Sequence, residues 1–314
     1  MCAVLENVLI FFRCSCSVFD KVGVFCVVGR PNAGKSTLTN ALCGAKVAIV
    51  SDKPQTTRTR ITGVCSLDEH QLIFLDTPGL HKPKNRLGDF MVKVIRDTVS
   101  DVDTVMLVVE PVPRIGIPEQ MLLEQIREFG MPAVLVINKV DTLKDKESLL
   151  ETIAVYTQEY DFEAVVPVSA LTGDGMDQLT EELKKLCFES PQLFPDDMIS
   201  DQPERQLVAE LIREKLLENL DKEVPHGVAV EIEQYKERDN GIMDVSAVIY
   251  CERKTHKGII IGKGGAMLKK IGAAARQECE ELLDAKVFLQ LWVKVKEEWR
   301  NNPALIRNFG YEQE

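Results

Sequence analysis

Short apolar runs recur through the first half of the chain, and each one ends at polar residues. The runs at residues 22–28, 72–75, 134–137 and 165–168 are rich in Val, Ile and Leu. Runs of this length predict buried strands, and the apolar residues at 38–42 predict a helix after the first strand. Strands that alternate with helices indicate an α/β domain with a mostly parallel, doubly wound sheet. Ligands of such sheets bind at the carboxyl ends of the strands.

The second half of the chain has a different pattern. Leucines near helical spacing within residues 207–217 predict a helix, and alternating apolar positions at 228–232 and 245–249 predict two strands. Two further helical segments meet at residues 262–265, and a last alternating run occupies residues 287–295. The resulting order of helix, strand, strand, helix, helix, strand indicates a separate α+β domain.

A stretch that disfavours regular structure separates the two halves. Residues 189–205 contain three prolines and five acidic residues, which is typical of a linker. We therefore expect an N-terminal extension at residues 1–20, a first domain at 21–188 and a second domain at 206–314.

The first predicted strand leads into a phosphate-binding loop of the form G-x-x-x-x-G-K-[ST]. Glycines let the backbone amides of such a loop point inward at phosphate oxygens, and the following helix adds the positive end of its dipole. Lys35 would reach the β- and γ-phosphates, and the Ser36 hydroxyl would bind Mg²⁺. The predicted nucleotide contacts in this loop are Gly29, Arg30, Pro31, Asn32, Ala33, Gly34, Lys35, Ser36 and Thr37.

The second apolar run of the first half ends in a D-x-x-G tetrad. An acid at this position would hold Mg²⁺, and the amide of the glycine would meet the γ-phosphate, so the tetrad would sense whether that phosphate is present. A lone tetrad of this kind is weak evidence, and its place after a strand strengthens it. The predicted contacts are Asp76, Thr77, Pro78, Gly79 and Leu80.

The last two strands of the first half carry the elements that would select the base. Asp141 offers two carboxylate oxygens to the N1–H and 2-amino donors of guanine, which adenine does not present. A site built for such donors favours GTP over ATP. A backbone amide of the S-A-L turn would contact guanine O6. The predicted contacts are Asn138, Lys139, Val140, Asp141, Ser169, Ala170 and Leu171.

Composition and charge limit the class of protein. The 314 residues are 45% hydrophobic with a mean hydropathy of −0.06, and the formal net charge is −11. No apolar run approaches the roughly eighteen residues of a membrane helix. The nine cysteines are scattered, which predicts reduced thiols and no metal site beyond Mg²⁺ and, as an open hypothesis, K⁺. The chain is not a generally basic nucleic-acid binder.

One segment reverses the overall sign of the charge. Residues 251–276 contain seven basic residues and one acidic residue, and they include a G-x-x-G loop that joins two predicted helices. Glycines there would let phosphates approach the backbone, and the isoleucines at 259–261 would supply an apolar floor for bases. A helical hairpin with a solvated lysine face is the alternative. The predicted RNA contacts are Arg253, Lys254, Lys257, Ile261, Gly262, Lys263, Gly264, Gly265, Lys269 and Lys270.

These motifs resemble those of known protein families. The first half resembles the GTPase domains of the translation-factor-related class, and residues 53–60 are similar to the first switch of the Era and Der relatives. That resemblance implies Thr57, in preference to Thr56, as a third Mg²⁺ ligand beside Ser36 and Asp76. Leu80 replaces a water-orienting glutamine, so intrinsic hydrolysis should be slow. Asn32 occupies the position that holds K⁺ in several relatives, and the implied catalytic residues are Lys35, Asn32 and Thr57.

The second half is similar to a type II KH domain, and the whole chain over residues 22–312 resembles the Era family of bacterial ribosome-assembly GTPases. The motifs at residues 225–230 and 299–303 contribute to this resemblance. It implies a cytoplasmic, monomeric GTP/GDP switch that binds the 3′ region of 16S ribosomal RNA and assists maturation of the 30S small ribosomal subunit. Two alternatives remain open: a GTPase with weak peripheral membrane association that acts in cell-cycle control, and a GTPase whose KH-like half binds a protein partner.

Overall fold

The structure is a computed structural model that describes residues 21–145 and 147–311. The predicted extension at residues 1–20 lies outside the described residues. None of the helices in the described ranges combines the length and apolar character that crossing a bilayer requires.

A six-stranded sheet forms the centre of the first half, in the spatial order β2-β3-β1-β4-β5-β6. Strand β2 is antiparallel to β3, and the other neighbouring pairs are parallel. The predicted mostly parallel sheet is therefore confirmed. Its strands are β1 (Lys21–Val28), β2 (Ile61–Leu67), β3 (His70–Asp76), β4 (Thr104–Val109), β5 (Ala133–Ile137) and β6 (Ala164–Pro167).

The helices of the first half cover both faces of this sheet. They are α1 (Lys35–Cys43), α2 (Arg86–Val99), α3 (Ile117–Phe129), α4 (Glu147–Glu159) and α5 (Met176–Lys185). Phe25, Leu38 and Leu179 belong to the apolar core on one face, and Val28 and Leu122 belong to the core on the other. Because both faces are covered, the central strands consist of continuous apolar runs rather than alternating patterns.

The predicted linker is packed against the first domain rather than detached from it. The Gln71 side chain, on β3, accepts hydrogen bonds from the backbone amides of Leu193 and Phe194 at 2.9 and 3.1 Å. The Val64 amide, on β2, donates to the Ile199 carbonyl at 2.7 Å. The helix that follows begins at Glu204, so the last two positions of the expected 189–205 linker are helical.

The second half has the element order expected of a KH domain. Three strands form a sheet in the order β7-β8-β9, with β7 antiparallel and β9 parallel to β8. The elements are α6 (Glu204–Asn219), β7 (Ala229–Glu237), β8 (Met243–Cys251), α7 (Lys254–Ile261), α8 (Ala266–Leu283), β9 (Val287–Val295) and α9 (Pro303–Asn308). Ile212, Ile249 and Ile271 belong to the core between the helices and the sheet.

The two halves share an apolar contact. Leu87 and Met91 of α2 pack with Tyr250 of β8 and with Trp299. Trp299 is fully buried, and its indole N–H donates to the Gly227 carbonyl at 2.9 Å. This tryptophan is therefore part of the contact between the halves and is not available to stack on an RNA base.

Candidate functional site

The phosphate-binding loop joins β1 to α1 at the carboxyl edge of the sheet. Gly34 has φ of 90°, and a Cβ atom there would lie 2.3 Å from the Asn138 side-chain nitrogen. A Cβ at Gly79 would lie 2.7 Å from the Pro31 backbone. These close approaches explain why both positions are glycine. They also bring the D-x-x-G and N-K-x-D segments against the loop, as the sequence predicts.

Lys35 is buried beneath the loop that precedes it. Its ammonium donates to the carbonyls of Arg30 and Gly29 at 3.1 and 3.3 Å. Burial lowers the pKa of Lys35 to about 8, and the nearby Asp76 carboxylate opposes that shift. Phosphate oxygens in the loop would strengthen the same opposition, so a bound nucleotide would hold Lys35 in its charged form.

Three oxygen-bearing side chains meet next to Lys35. The Ser36 hydroxyl donates to Asp76 Oδ2 at 2.6 Å, and Thr57 Oγ1 lies 2.9 Å from Ser36 Oγ and 3.3 Å from Asp76 Oδ2. Asp76 Oδ1 is buried and has no hydrogen-bond partner in the described residues. Burial raises the pKa of Asp76 to about 6. A hard divalent cation such as Mg²⁺ prefers oxygen ligands and would satisfy the unpaired carboxylate oxygen, so these residues fit it.

The structure also distinguishes the two switch threonines. The Thr56 hydroxyl donates to the Lys53 carbonyl at 2.7 Å, within its own loop, whereas the Thr57 hydroxyl reaches Ser36 and Asp76. Thr57 is therefore the threonine whose side chain faces the oxygen cluster.

The base-selecting segments lie side by side. Asn138 donates to the Ala33 carbonyl at 2.9 Å and accepts from the Ala170 amide at 3.0 Å, so it joins the phosphate loop to the S-A-L turn. The Ser169 hydroxyl donates to Asp141 Oδ1 at 2.6 Å and orients that carboxylate. Leu171 is 81% exposed at the end of the turn, where a planar base could cover it.

The remaining positions near the cleft differ in their exposure. Leu80 is buried among Cys26, Val28 and Ile95, so its side chain serves the core, while its amide donates to the Gly29 carbonyl at 3.1 Å. Asn32 is exposed, and its side-chain nitrogen donates to the Asp52 carbonyl at 2.7 Å. The cleft between the loop and the switch has a volume of about 350 Å³, and its lining includes Pro31, Thr37, Val50, Thr57, Gly79 and Lys139.

Sequence reasoning missed Glu110, which follows β4. This carboxylate pairs with Arg30 of the phosphate loop and, at 2.6 Å, with the Lys139 ammonium. Lys139 has φ of 66° and also donates to the Asn32 carbonyl at 2.6 Å. Position 110 carries no motif, and only the neighbouring ends of β1, β4 and β5 bring it to Arg30 and Lys139.

The predicted RNA segment forms an exposed turn between α7 and α8. Gly262, Gly264 and Gly265 have φ values of 73°, 61° and 82°, which favour glycine, and Lys263 is exposed between them. Arg253, Lys254, Lys269 and Lys270 are also exposed, and Lys257 is half-buried.

The expectation that the isoleucines at 259–261 form an apolar floor for RNA bases is wrong. Ile260 is fully buried in the KH core and cannot form a floor for bases, because its side chain faces the sheet. Ile261 is partly buried against the same core, and Ile259 is exposed. Helical periodicity places neighbouring residues on different faces, so a run of three isoleucines on a helix cannot form one surface.

Comparisons with known proteins agree with this arrangement. Residues 24–139 match the family described as 50S ribosome-binding GTPase, and residues 223–300 match the KH domain family. The chain is 51% identical over 293 residues to the GTPase Era of Alkaliphilus metalliredigens, covering 93% of this chain and 99% of that protein. It is 54% identical over 292 residues to the GTPase Era of Clostridioides difficile, covering 93% and 98%.

Solved structures give the same result. Era from Aquifex aeolicus, bound to GDP and aluminium fluoride, has a TM-score of 0.90 and 40% identity, covering 93% of this chain and 100% of that one. Era in complex with MgGDPNP and nucleotides 1506–1542 of 16S ribosomal RNA also has a TM-score of 0.90, with 39% identity and 93% and 99% coverage.

The fold and the site define a P-loop GTPase followed by a KH domain. Sequence identity of about 50% over 93% of the chain assigns it to one family. The chain belongs to the GTPase Era family and is a GTPase.

Proposed function

We propose that this GTPase binds the 3′ region of 16S ribosomal RNA through its KH half when GTP occupies the first half, and that it assists maturation of the 30S subunit. The observation that carries the proposal is a complete nucleotide cleft and an exposed, basic G-x-x-G turn in one chain. The complex of an Era protein with 16S ribosomal RNA supports the same RNA target. The chain would act in the cytoplasm as a monomer, with domains at residues 21–188 and 206–314.

The phosphate loop would bind and orient the triphosphate. Backbone amides of residues 29–37 would surround the phosphates, and Lys35 would exchange its carbonyl partners for phosphate oxygens. Ser36, Thr57 and Asp76 would hold Mg²⁺, which when bound neutralises charge on the β- and γ-phosphates. Asp141 would accept the guanine donors, and Asn138 would keep the loop and the S-A-L turn in register. Leu80 offers no hydrogen bond to water, so intrinsic turnover would be slow.

Asn32 would supply a second cation site. Its side-chain nitrogen donates to the carbonyl of Asp52, directly before the switch, and the amide oxygen of the same side chain is a ligand type that suits a weakly hydrated monovalent cation such as K⁺. Replacing K⁺ by Na⁺ at constant ionic strength should then lower the hydrolysis rate, and an Asn32→Ala variant should lose that difference. Equal rates in the two salts would contradict the K⁺ site.

The KH half would clamp a single strand of RNA. Phosphates would approach Gly262, Gly264 and Gly265 without side chains in the way, and Lys263 would pair with one of them. The exposed basic side chains at residues 253–254 and 269–270 would extend the contact along the strand. The chain as a whole has a net charge of −11, which would favour RNA binding at this basic surface over the acidic remainder.

Charge reversal at Lys263 tests whether the G-x-x-G turn binds RNA. Lys263→Glu should weaken binding of a single-stranded oligonucleotide from the 3′ end of 16S ribosomal RNA by roughly tenfold or more and should flatten its salt dependence. GTP affinity should be unchanged. Lys185→Glu is the matched control, because it makes the same charge change on α5 of the other half. Equal RNA affinities for the two variants, measured by fluorescence anisotropy, would contradict the proposed RNA site.

A further inference from the structure

Helix α6 buries three consecutive charged residues, Arg213, Glu214 and Lys215. Burying a charged side chain costs several kcal/mol unless it is paired and hydrogen-bonded. Helical spacing would normally place at least one of three neighbours in solvent. Each of the three has at least one partner outside α6, and those partners lie on both sides of the contact between the halves.

Arg213 is fully buried and faces the switch segment of the GTPase half. Its guanidinium donates to the Thr56 carbonyl and lies 3.5 Å from the Gln55 carbonyl. The Glu210 carboxylate, one helical turn earlier, pairs with the same guanidinium and keeps its charge balanced. Arg213 thus fixes the backbone directly before Thr57.

The backbone directly after Thr57 is fixed as well. Arg58 is only 2% exposed, and it donates to the Val228 carbonyl at 2.7 Å, the His226 carbonyl at 3.0 Å and the Tyr311 hydroxyl at 3.0 Å. Its guanidinium carbon lies 5.4 Å from the Tyr311 ring centroid, within the range of a cation–π contact. Thr57 therefore stands between two residues that are anchored in the KH half.

Glu214 and Lys215 extend the contact between the halves beyond the switch. Glu214 accepts from the Val50 amide at 2.8 Å and from the Lys46 ammonium at 2.6 Å. Lys46 also reaches Glu278 of α8 at 2.7 Å, and Lys215 pairs with the same carboxylate. Helix α8 starts at the residue after the G-x-x-G turn. These ion pairs join Lys46, which precedes the switch in the chain, through α6 to the helix that carries the proposed RNA contacts.

We propose that Arg213 is a positioning residue of the GTPase site: from the KH half it holds the backbone at residues 55–56, so that the Thr57 hydroxyl stays beside Ser36 and Asp76. The inference rests on the proposed role of Thr57 in the nucleotide site. Arg213 touches neither nucleotide nor metal, and it acts through Thr57. The KH domain is then a structural part of the site that distinguishes GTP from GDP.

Loss of Arg213 should affect the GTP and GDP states differently, which a purely structural role for this residue would not produce. Switch residues contact the nucleotide through its γ-phosphate, which GDP does not have. Loss of Arg213 should therefore weaken binding of a non-hydrolysable GTP analogue and leave GDP binding nearly unchanged. A change that weakened GTP-analogue and GDP binding equally would not alter the balance between the GTP and GDP states. The informative quantity is therefore the ratio of the affinity for the GTP analogue to the affinity for GDP.

The experiment compares Arg213→Met and Arg213→Lys with Arg205→Met in the full chain. Arg205 is an arginine on the same helix, and it donates to the Ile232 carbonyl within the KH half only. We expect Arg213→Met to reduce the GTP-analogue to GDP affinity ratio by roughly 10- to 100-fold, as loss of charged hydrogen bonds implies. It should also raise the Mg²⁺ concentration needed for analogue binding and increase amide hydrogen exchange at residues 50–58. Arg213→Lys, which keeps one donor, should have a smaller effect.

Three results are distinguishable. A reduced ratio for Arg213→Met but not for Arg205→Met supports the proposal. An unchanged ratio, or equal losses of GDP and analogue affinity, overturns it. If Arg213→Met does not fold, the same ratio is measured for Arg213→Lys, and an unchanged ratio there overturns the proposal as well. A Thr57→Ala variant tests the proposed metal site independently of Arg213. If Thr57→Ala leaves the ratio and its Mg²⁺ dependence unchanged, the proposed metal site itself is wrong.

Discussion

Arg58 offers the sharpest test of the contact between the two halves, because one buried side chain carries so much of it. Replacing it by Met keeps most of the volume and removes three hydrogen bonds of 2.7, 3.0 and 3.0 Å from a charged donor. Such bonds contribute about 1.5–3 kcal/mol each. The cost of burying the guanidinium offsets a large part of that sum, so we expect a net loss of about 3 kcal/mol.

Trp299 provides the measurement. The chain has two tryptophans, and Trp292 is 58% exposed, so a Trp292→Phe background makes Trp299 the reporter. Trp299 lies against Arg58, with 5.6 Å between the guanidinium carbon and the ring centroid. In urea, the change from buried to exposed emission should occur about 1–3 M earlier in Arg58→Met, given slopes of about 1–3 kcal/mol per M.

Arg60→Met is the matched control for this experiment. Arg60 lies two residues further along the same loop and is exposed, so its replacement should leave the Trp299 transition within about 0.5 kcal/mol of the parent. If Arg58→Met and Arg60→Met shift the transition equally, the buried guanidinium does not hold the halves together, and the reasoning from its hydrogen bonds is wrong.

Three further predictions concern the nucleotide cleft. Gly34→Ala should abolish retention of GDP during purification, because its Cβ would lie 2.3 Å from the Asn138 side chain. Gly44→Ala is the control and should retain GDP, because Gly44 also has a positive φ, of 63°, but has open space around it. Glu110→Gln should speed release of a fluorescent GDP about threefold to tenfold in stopped-flow measurements, because Arg30 and Lys139 lose their shared carboxylate. Removing Mg²⁺ with EDTA should weaken the GTP analogue more than GDP, and equal weakening would contradict the three-oxygen site.

The nucleotide half could be predicted from the sequence because its chemistry is concentrated in short motifs. Each motif follows an apolar strand, and parallel strands bring their carboxyl ends to one edge, so Lys35, Asp76 and Asn138 converge without knowledge of the remaining contacts. The choice of Thr57 over Thr56 followed from resemblance, and the structure supplies its physical reason. The Thr56 hydroxyl is bonded within its own loop.

The contact between the halves could not be predicted in the same way. Arg58 lies in a basic run that is typical of an exposed loop, and Arg213 lies in a charged stretch of α6 that is typical of a solvated helix face. Neither belongs to a motif, and their burial depends on partners about 150 or more residues away in the chain. The burial of Trp299 depends on the folded contact in the same way, because its partners Leu87 and Met91 lie in the other half of the chain.

We propose that the nucleotide state and RNA binding are coupled through the switch. Coupling between two ligands is reciprocal, so it can be measured from either side. Titration of the GTP analogue and of GDP into the chain, with and without a saturating oligonucleotide from the 3′ end of 16S ribosomal RNA, tests it most directly. We predict that the RNA raises the affinity for the analogue at least about fivefold and leaves the affinity for GDP unchanged. Equal affinities for the analogue with and without RNA would contradict the account.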